Sequence, residues 1–250
     1  MKPLDFSNIV FPKTINVTEQ EIDISNFTEK QKQFYIDLFK ELVERYQSKQ
    51  KPRMIVGITG PAGSGKSAVV AIFQEIAKQV TLPFKFESIG IDAFHYTNEY
   101  LLAHDVNGDS LKSHKGRFDT YDIEKLTNVM KRFSVGGEVQ LPVYSRATHN
   151  PVENAINIKR DEPALLVVEG LWVLYDQAGW NTVGELLNYS IFVEGDNEKL
   201  KQGVIDRHIR GGRTSDEAKE YYEANESQNF DLIMTTKNKA DKIIPAYYEI

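Results

Sequence analysis

The 250-residue chain contains no cysteine. This absence excludes disulfides, thiolate catalysis and zinc or iron–sulfur sites built on cysteine. No stretch approaches the roughly 18 apolar residues of a membrane span, and residues 1–13 lack the apolar segment of a signal peptide. Positive charge is not in excess either, because the net charge is −6. That balance argues against a nucleic-acid-binding protein, which usually carries a basic face. We therefore expect a cytoplasmic protein.

The composition that remains, 41% hydrophobic and 26% charged residues, is typical of a globular protein with one α/β domain. Near the amino terminus, Thr28 and Gln31 have the spacing of a helix capping box. Apolar side chains follow at helical spacing: Phe34, Leu38, Phe39, Leu42, Val43 and Tyr46. We predict that residues 1–50 are an extension with one amphipathic helix and that 51–250 are the main domain. This helix is expected to cover the sheet or to join a homodimer interface.

From residue 53 onward, short apolar segments alternate with helical patterns. Strands are predicted at 54–59, 84–91, 164–168, 189–193 and 240–245, and helices at 67–78, 122–133 and 197–210. The polar residues 98–115 fit neither pattern. Strands that alternate with helices indicate βαβ units and a mostly parallel sheet.

The segment Gly60-Pro-Ala-Gly-Ser-Gly-Lys-Ser67 matches the phosphate-binding pattern G-x-x-x-x-G-K-[ST] in full, between a predicted strand and a predicted helix. Glycines let the backbone wrap an anion, and the amide groups then point at it from a helix N-terminus. Lys66 is expected to bind the β- and γ-phosphates, and Ser67 to bind Mg²⁺. The residues expected to hold the nucleotide here are Gly60, Ala62, Gly63, Ser64, Gly65, Lys66, Ser67 and Ala68.

Two acidic residues separate an enzyme from a simple nucleotide binder. Asp92 follows the strand predicted at 84–91, and Glu169 follows the strand predicted at 164–168. In an open α/β sheet, ligands bind beyond the carboxyl ends of the strands, where the phosphate loop also lies. One carboxylate is expected to hold the metal and the other to accept a proton from an attacking hydroxyl. The residues alone do not show which of the two carboxylates holds the metal and which accepts the proton.

Three arginines lie near a Gly211-Gly212 break. Arg207 and Arg210 are three residues apart, on one helical face, and Arg213 follows the break. Arginines on a hinged pair of helices are typical of a lid that closes over phosphates. A new helix is expected after the break, with Thr214 and Glu217 as its capping box.

Six segments occur in an order that resembles the uridine kinase, phosphoribulokinase and bacterial pantothenate kinase superfamily: GPAGSGKS, GIDAFHYTNEYL, KGRFDTYD, LPVYSRATHNPV, VVEGLWVL and RHIRGGRTSDEA. The resemblance covers about residues 53–245, and DAFH and RHIRGGR are closest to a fructose transport system kinase-like branch. It implies a three-layer P-loop NTPase fold with a mostly parallel five-stranded sheet, with Asp92 as acceptor base and 207–213 as a helical lid. It also implies an acceptor pocket near His95, Tyr96, Lys115, Tyr144 and Arg146. Ala93 departs from the glycine usual after that aspartate.

These patterns predict a phosphotransferase that uses ATP and Mg²⁺ and moves the γ-phosphoryl group to a hydroxyl of a small metabolite. Pantothenate, a sugar, a nucleoside and glycerate remain open as acceptors. A non-catalytic nucleotide-binding module is one alternative. A GTPase switch is another, because Asn238–Asp241 matches N-K-x-D and Asp105–Gly108 matches D-x-x-G. Neither match follows an apolar strand, as a functional copy should.

Overall fold

The computed structural model describes residues 4–17, 19–49, 51–247 and 249–250. The strands within them are β1 (Thr14–Val17), β2 (Gln20–Asp23), β3 (Arg53–Thr59), β4 (Lys85–Gly90), β5 (Asp105–Val106), β6 (Asp109–Ser110), β7 (Val139–Ser145), β8 (Asn150–Ile158), β9 (Ala164–Glu169), β10 (Tyr189–Glu194) and β11 (Lys242–Pro245). The α-helices are α1 (Glu29–Ser48), α2 (Lys66–Gln79), α3 (Asn98–Ala103), α4 (Ile123–Ser134), α5 (Asn181–Glu185), α6 (Asn197–Arg210), α7 (Ser215–Tyr221) and α8 (Ser227–Met234). None of these helices is long and apolar enough to cross a bilayer. The predicted domain boundary falls beside Gln50, which lies outside the described residues.

A five-stranded sheet in the order β11-β10-β3-β9-β4 organises the chain. Every pairing in it is parallel, so the predicted P-loop fold with a mostly parallel five-stranded sheet is confirmed. The strand and helix predictions agree with the structure to within about two residues at each end, the usual uncertainty of such boundaries. One detail differs: Glu169 is the last residue of β9 and does not lie beyond it.

Side chains of the sheet pack into two separate cores, one on each face. Along β9, Leu165 and Val167 enter one core, while Leu166 and Val168 enter the other. Successive strand residues point to opposite faces, and both faces are covered, which explains the continuous apolar pattern of this strand. Helices α1 and α2 cover the first face, and α4 and α8 pack on the second. The result is the predicted three-layer arrangement.

The predicted amino-terminal helix is confirmed as α1, including the capping box of Thr28 and Gln31. Its buried stripe contains Tyr35 where Phe34 was expected, and Phe34 is only partly buried. The helix belongs to the same core as α2 and the sheet, so it covers the sheet face. A hairpin of β1 and β2, which the sequence pattern did not predict, precedes it.

Two further hairpins were not predicted. The larger one pairs β7 with β8 around a register shift between Leu141 and Val143, where Pro142 interrupts the ladder. The unassigned residues 98–115 contain α3 and the short β5–β6 hairpin, whose turn is Asn107-Gly108 with both residues at positive φ. Asn-Gly is the preferred pair for such a turn.

The first prediction concerns the packing of α1. Phe39 is fully buried, and its ring contacts Phe73 of α2 at 5.5 Å and Phe86 of β4 at 5.2 Å between centroids. Phe39→Ala is expected to lower the free energy of unfolding in urea by about 3–5 kcal/mol, because it leaves a cavity in the core. The exposed neighbour Lys40→Ala is the control, with an expected change within about 0.5 kcal/mol. Equal losses in the two variants would show that α1 does not pack as described.

Candidate functional site

The phosphate-binding loop joins the end of β3 to the start of α2. Gly63 and Gly65 have φ angles of 81° and 87°, a conformation that L side chains rarely adopt. A Cβ on Gly65 would come within 2.5 Å of the Tyr247 ring, so space is lacking there as well. The predicted loop is therefore present, and its course depends on glycine.

Unsatisfied donors concentrate at this loop. Helix α2 has no side-chain cap, so the amide groups of its first turn have no acceptor within the helix. The hydroxyl of Ser64 is buried and has no hydrogen-bond partner among the described residues. Uncapped amides at a helix N-terminus bind anions. The residues present thus fit the phosphates of a nucleotide.

Lys66, Ser67 and Glu169 lie together beside the loop. The buried Lys66 ammonium donates to the Pro61 carbonyl at 2.8 Å, and the Ser67 hydroxyl donates to Oε1 of Glu169 at 3.1 Å. Burial lowers the pKa of Lys66 to about 8, against the opposing charge of Glu169. Burial also raises the pKa of Glu169 to about 6, against the opposing charge of Lys66.

Ser67 and Glu169 fit a magnesium site of the kind completed by phosphates. No cluster of three or more His, Cys, Asp or Glu side chains suited to a metal occurs in the described part of the chain. Mg²⁺ is often held by one or two protein oxygens together with waters and substrate phosphates. Ser67 and Glu169 offer two such oxygens next to the phosphate loop.

Asp92 lies at the same edge of the sheet, on the 3₁₀ turn of residues 91–94 that follows β4. Its side chain is 55% exposed. Oδ1 accepts a hydrogen bond from the Tyr121 hydroxyl at 3.3 Å. The charge of Asp92 acts on the pKa values of both Lys66 and Glu169. The exposed carboxylate therefore lies at the same sheet edge as the phosphate loop, close enough for its charge to act on Lys66 and Glu169.

Most of the predicted acceptor pocket gathers around Asp92. Nε2 of His95 is 3.7 Å from Asp92 Oδ1, and the buried His95 ring stacks on Tyr121 at 3.8 Å. Burial and the charge of Asp92 raise the pKa of Tyr144 to about 12. The Lys115 ammonium lies 5.3 Å from the centre of the Tyr144 ring. These side chains therefore form a group beside Asp92.

Two other predicted pocket residues are placed differently. Arg146 lies in the turn between β7 and β8, and its charge lowers the pKa values of Tyr144 and Glu169. It therefore faces the site. Tyr96 stacks on Tyr100 at 4.2 Å, and its pKa is raised by burial and then by the charge of Asp122. The Tyr96 ring thus contacts α3.

The arginine segment begins at the end of α6, as predicted, and the capping box of Thr214 and Glu217 starts α7. Arg207 pairs with Glu226 at 3.6 Å, and its charge adds to the effect of burial in lowering the pKa of Lys66. Arg213 lies over the Tyr221 ring at 3.8 Å, inside the helical pair. Arg210 is exposed at the last position of α6. Arg207 is thus the arginine of this segment whose charge reaches Lys66.

Sequence reasoning did not single out Tyr121 or Glu226. Tyr121 lies in the segment KGRFDTYD, but only its contact with Asp92 shows that it borders the site. Glu226 ends a π-helical turn of residues 222–226 and contacts both Arg207 and His208. Such turns are frequent at functional sites, yet no local sequence signal announces this one.

The two patterns that raised a GTPase have structural explanations. Asp241 of the N-K-x-D match accepts hydrogen bonds from the Ser190 amide and hydroxyl, each at 2.8 Å. This contact joins the residue before β11 to the start of β10. The D-x-x-G match, Asp105–Gly108, forms most of the small β5–β6 hairpin. Both matches thus have a structural explanation, the first in a contact with β10 and the second in a local hairpin.

The second prediction uses the cost of the buried carboxylate. Burial raises the pKa of Glu169 to about 6 from its ordinary 4.5. The folded state therefore disfavours the ionised form by on the order of 1–2 kcal/mol at neutral pH, given the partial exposure of this residue. The folded protein binds a proton at the Glu169 carboxyl more tightly than the unfolded chain does. Protonated Glu169 therefore contributes fully to the free energy of unfolding below pH 4.5, and this contribution is lost as the pH rises through about 6.

Glu169→Gln is accordingly expected to stabilise the ligand-free protein more at about pH 8 than at about pH 5, measured by urea unfolding. The control is Glu220→Gln, since Glu220 is exposed on α7. An unchanged free energy of unfolding at the higher pH would contradict the stated cost of burying Glu169.

Comparison with known proteins gives one family. A model of the phosphoribulokinase / uridine kinase family matches residues 55–249. The uncharacterized protein YggC of Escherichia coli (strain K12) is 30% identical over 192 residues, which cover 77% of this chain and 77% of that protein. A pantothenate kinase of Lactococcus lactis subsp. cremoris (strain MG1363) is 27% identical over 157 residues, or 62% of this chain and 49% of the kinase. The chain thus spans about half the length of that relative.

Among solved structures, a protein from Silicibacter sp. TM1040 that carries the provisional name fructose transport system kinase superposes with a TM-score of 0.72. Its identity is 24%, and the match covers 84% of this chain and 98% of that one. At this identity the likeness shows the fold alone, and the family follows from the sequence match. With a phosphate-binding loop inside residues 55–249, the chain belongs to the phosphoribulokinase / uridine kinase family and is a small-molecule kinase.

Proposed function

We propose that this kinase transfers the γ-phosphoryl group of ATP to a hydroxyl group of a small metabolite, with Asp92 as the base. One observation carries the proposal: the pairing of Gly90 with Glu169 brings the exposed carboxylate of Asp92, two residues further on, to the sheet edge where the phosphate loop lies. The charge of Asp92 accordingly acts on the pKa values of Lys66 and Glu169. The position and the exposure of this carboxylate support Asp92 as the group that accepts the proton of the acceptor hydroxyl.

ATP would be held by the loop that the sequence indicated. The backbone N–H groups of Gly60 and of residues 62–68 would surround the phosphates, and Lys66 would neutralise charge on the β- and γ-phosphates. Ser67 and Glu169 would hold Mg²⁺, which when bound offsets further phosphate charge. The Lys66 ammonium, which donates to its own loop at Pro61, would exchange that contact for phosphate oxygens.

The acceptor hydroxyl would lie beside Asp92. Its oxygen attacks the γ-phosphorus while its proton passes to the Asp92 carboxylate. The bond between the γ-phosphorus and the bridging oxygen breaks, and ADP leaves with the electron pair. The hydrogen bond from Tyr121 to Oδ1 holds the carboxylate in place for this step. The proposed acceptor pocket consists of His95, Tyr96, Lys115, Tyr144 and Arg146.

Lid arginines would complete the site. Arg207 already reaches the phosphate loop electrostatically, and Arg210 and Arg213 would approach when α6 and α7 close. Closure places positive charge on the transferring group and excludes water as a competing acceptor. The Lactococcus relative makes pantothenate one candidate acceptor beside a sugar, a nucleoside or glycerate. The cytoplasmic location, the homodimer and the division at residue 50 stay predictions.

The third prediction tests the base. Asp92→Asn keeps the size of the side chain but cannot accept the proton, so kcat is expected to fall by about 10²–10⁴-fold. ATP affinity should change little, because Asp92 does not belong to the phosphate loop. Lys66→Ala is the contrasting variant and should impair both ATP binding and turnover. ADP release and ATP binding by calorimetry measure the two effects. Full turnover in Asp92→Asn would remove Asp92 from its proposed role.

The fourth prediction ranks the lid arginines. Arg207→Gln is expected to lower kcat by about 10²-fold or more, a loss typical of one missing charge-stabilising donor. Arg210→Gln should lower it less, since Arg210 is exposed at the helix end. Both changes remove one positive charge from the same helix, so each controls for the other. A larger loss in Arg210→Gln would mean that lid closure rotates the other arginine into the site.

A further inference from the structure

Two lysines near the acceptor site share one neutral partner. The ammonium groups of Lys112 and Lys115 both donate to Oδ1 of Asn98, at 3.0 Å for Lys115. Lys115 also donates to the His149 carbonyl at 2.6 Å. Neither lysine forms an ion pair with a carboxylate in the described residues.

The orientation of Asn98 supports this arrangement. Its Nδ2 donates to the Thr148 carbonyl at 3.3 Å, a contact that only the amide nitrogen can make. The oxygen of the amide therefore faces the two lysines. The backbone N–H of Asn98 also donates to Oδ1 of Asn150 at 2.9 Å. Two like charges are thus held close together by a fixed but uncharged acceptor.

The lysine pair lies next to the proposed base. The Lys115 ammonium is 5.3 Å from the Tyr144 ring centre. Burial lowers the pKa of Lys115 to about 8, the charge of Lys112 adds to this lowering, and the charge of Asp92 opposes it. The Nε2 atom of His95 is 3.7 Å from Oδ1 of Asp92. Burial lowers the pKa of His95, and the positive charges of both lysines add to this lowering. A small molecule could therefore contact Asp92 at one end and the lysine pair at the other.

The charges also set the direction in which such a molecule would bind. A negative group next to Asp92 would be repelled, whereas next to two partly buried ammonium groups it would be attracted. A neutral acceptor would leave the repulsion between the lysines uncompensated. Charge-assisted hydrogen bonds from two lysines suit a carboxylate or a phosphate.

We propose that the acceptor is an anionic hydroxy compound whose carboxylate or phosphate binds Lys112 and Lys115 while its hydroxyl lies at Asp92. This inference rests on the proposed phosphoryl transfer and names the substrate class for the same site. It assigns a binding role to Lys112, a residue that no motif indicated, and it disfavours nucleosides and free sugars.

Matched acceptor pairs test the class. ADP release is measured with D-glycerate against glycerol, pantothenate against pantothenol, and fructose 6-phosphate against fructose, with uridine as a neutral nucleoside. The anionic member of a pair is expected to give the higher kcat/KM. A preference for D-glycerate or pantothenate would identify the anionic group as a carboxylate, and a preference for fructose 6-phosphate would identify it as a phosphate. A neutral compound as the best acceptor would overturn this inference and leave the phosphotransferase intact. ADP release that no compound stimulates would count against the phosphotransferase itself.

Variants then test the residues with the best anionic acceptor. Lys112→Gln and Lys115→Gln are each expected to raise its KM by about ten- to hundredfold, as for a lost hydrogen bond between charged groups, with the KM for ATP unchanged. Lys115→Arg should restore part of the affinity because it restores the charge. Lys125→Gln is the control, since Lys125 already pairs with Glu153 on the surface. Circular dichroism checks that each variant folds. Unchanged acceptor KM in both glutamine variants, or equal losses for ATP and acceptor, would overturn the inference.

Discussion

Glu169 lies between two parallel strands, opposite Ile58 of β3 on one side and Gly90 of β4 on the other. This register brings the ends of three strands to one level. The phosphate loop starts two residues after Ile58, and Asp92 follows two residues after Gly90. A shift of one residue in either pairing would move a functional group by about 3.3 Å and turn its neighbours to the other face. The site therefore depends on strand register, which the apolar packing on both sheet faces maintains.

The same register places opposite charges where water is scarce. Burial lowers the pKa of Lys66 and raises that of Glu169, so each charged form is less favourable in the fold than in water. Their mutual attraction offsets only part of this cost. Phosphates and a metal ion would bring the compensating charges. The ligand-free loop is thus prepared for ligands at the expense of stability, which is common at functional sites.

Segments outside the central sheet supply the proposed acceptor side. Asn98 begins α3, Lys112 and Lys115 lie in and after a 3₁₀ turn, and the carbonyls of Thr148 and His149 come from the turn between β7 and β8. The amino-terminal hairpin reaches the same turn, where Glu19 accepts from the Arg146 amide at 3.1 Å. Loops on a rigid scaffold commonly carry specificity. Here the sheet positions the phosphate loop and the strand-end carboxylates, and the loops around it carry the residues of the proposed acceptor pocket.

Local patterns in the sequence determined the phosphate loop and the capping boxes at Thr28 and Thr214, because these depend on residues close together in the chain. The alternation of strand and helix patterns indicated the parallel sheet, although its pairings join distant segments. The strand patterns also placed Asp92 and Glu169 at strand ends. Only the tertiary structure decided that Lys112 and Lys115 share Asn98, and that Tyr121 and Glu226 border the site. These contacts join residues up to dozens of positions apart, in polar segments with no apolar period. The sequence carries a signal where one segment folds on itself, and none where separate loops meet only after the core has formed.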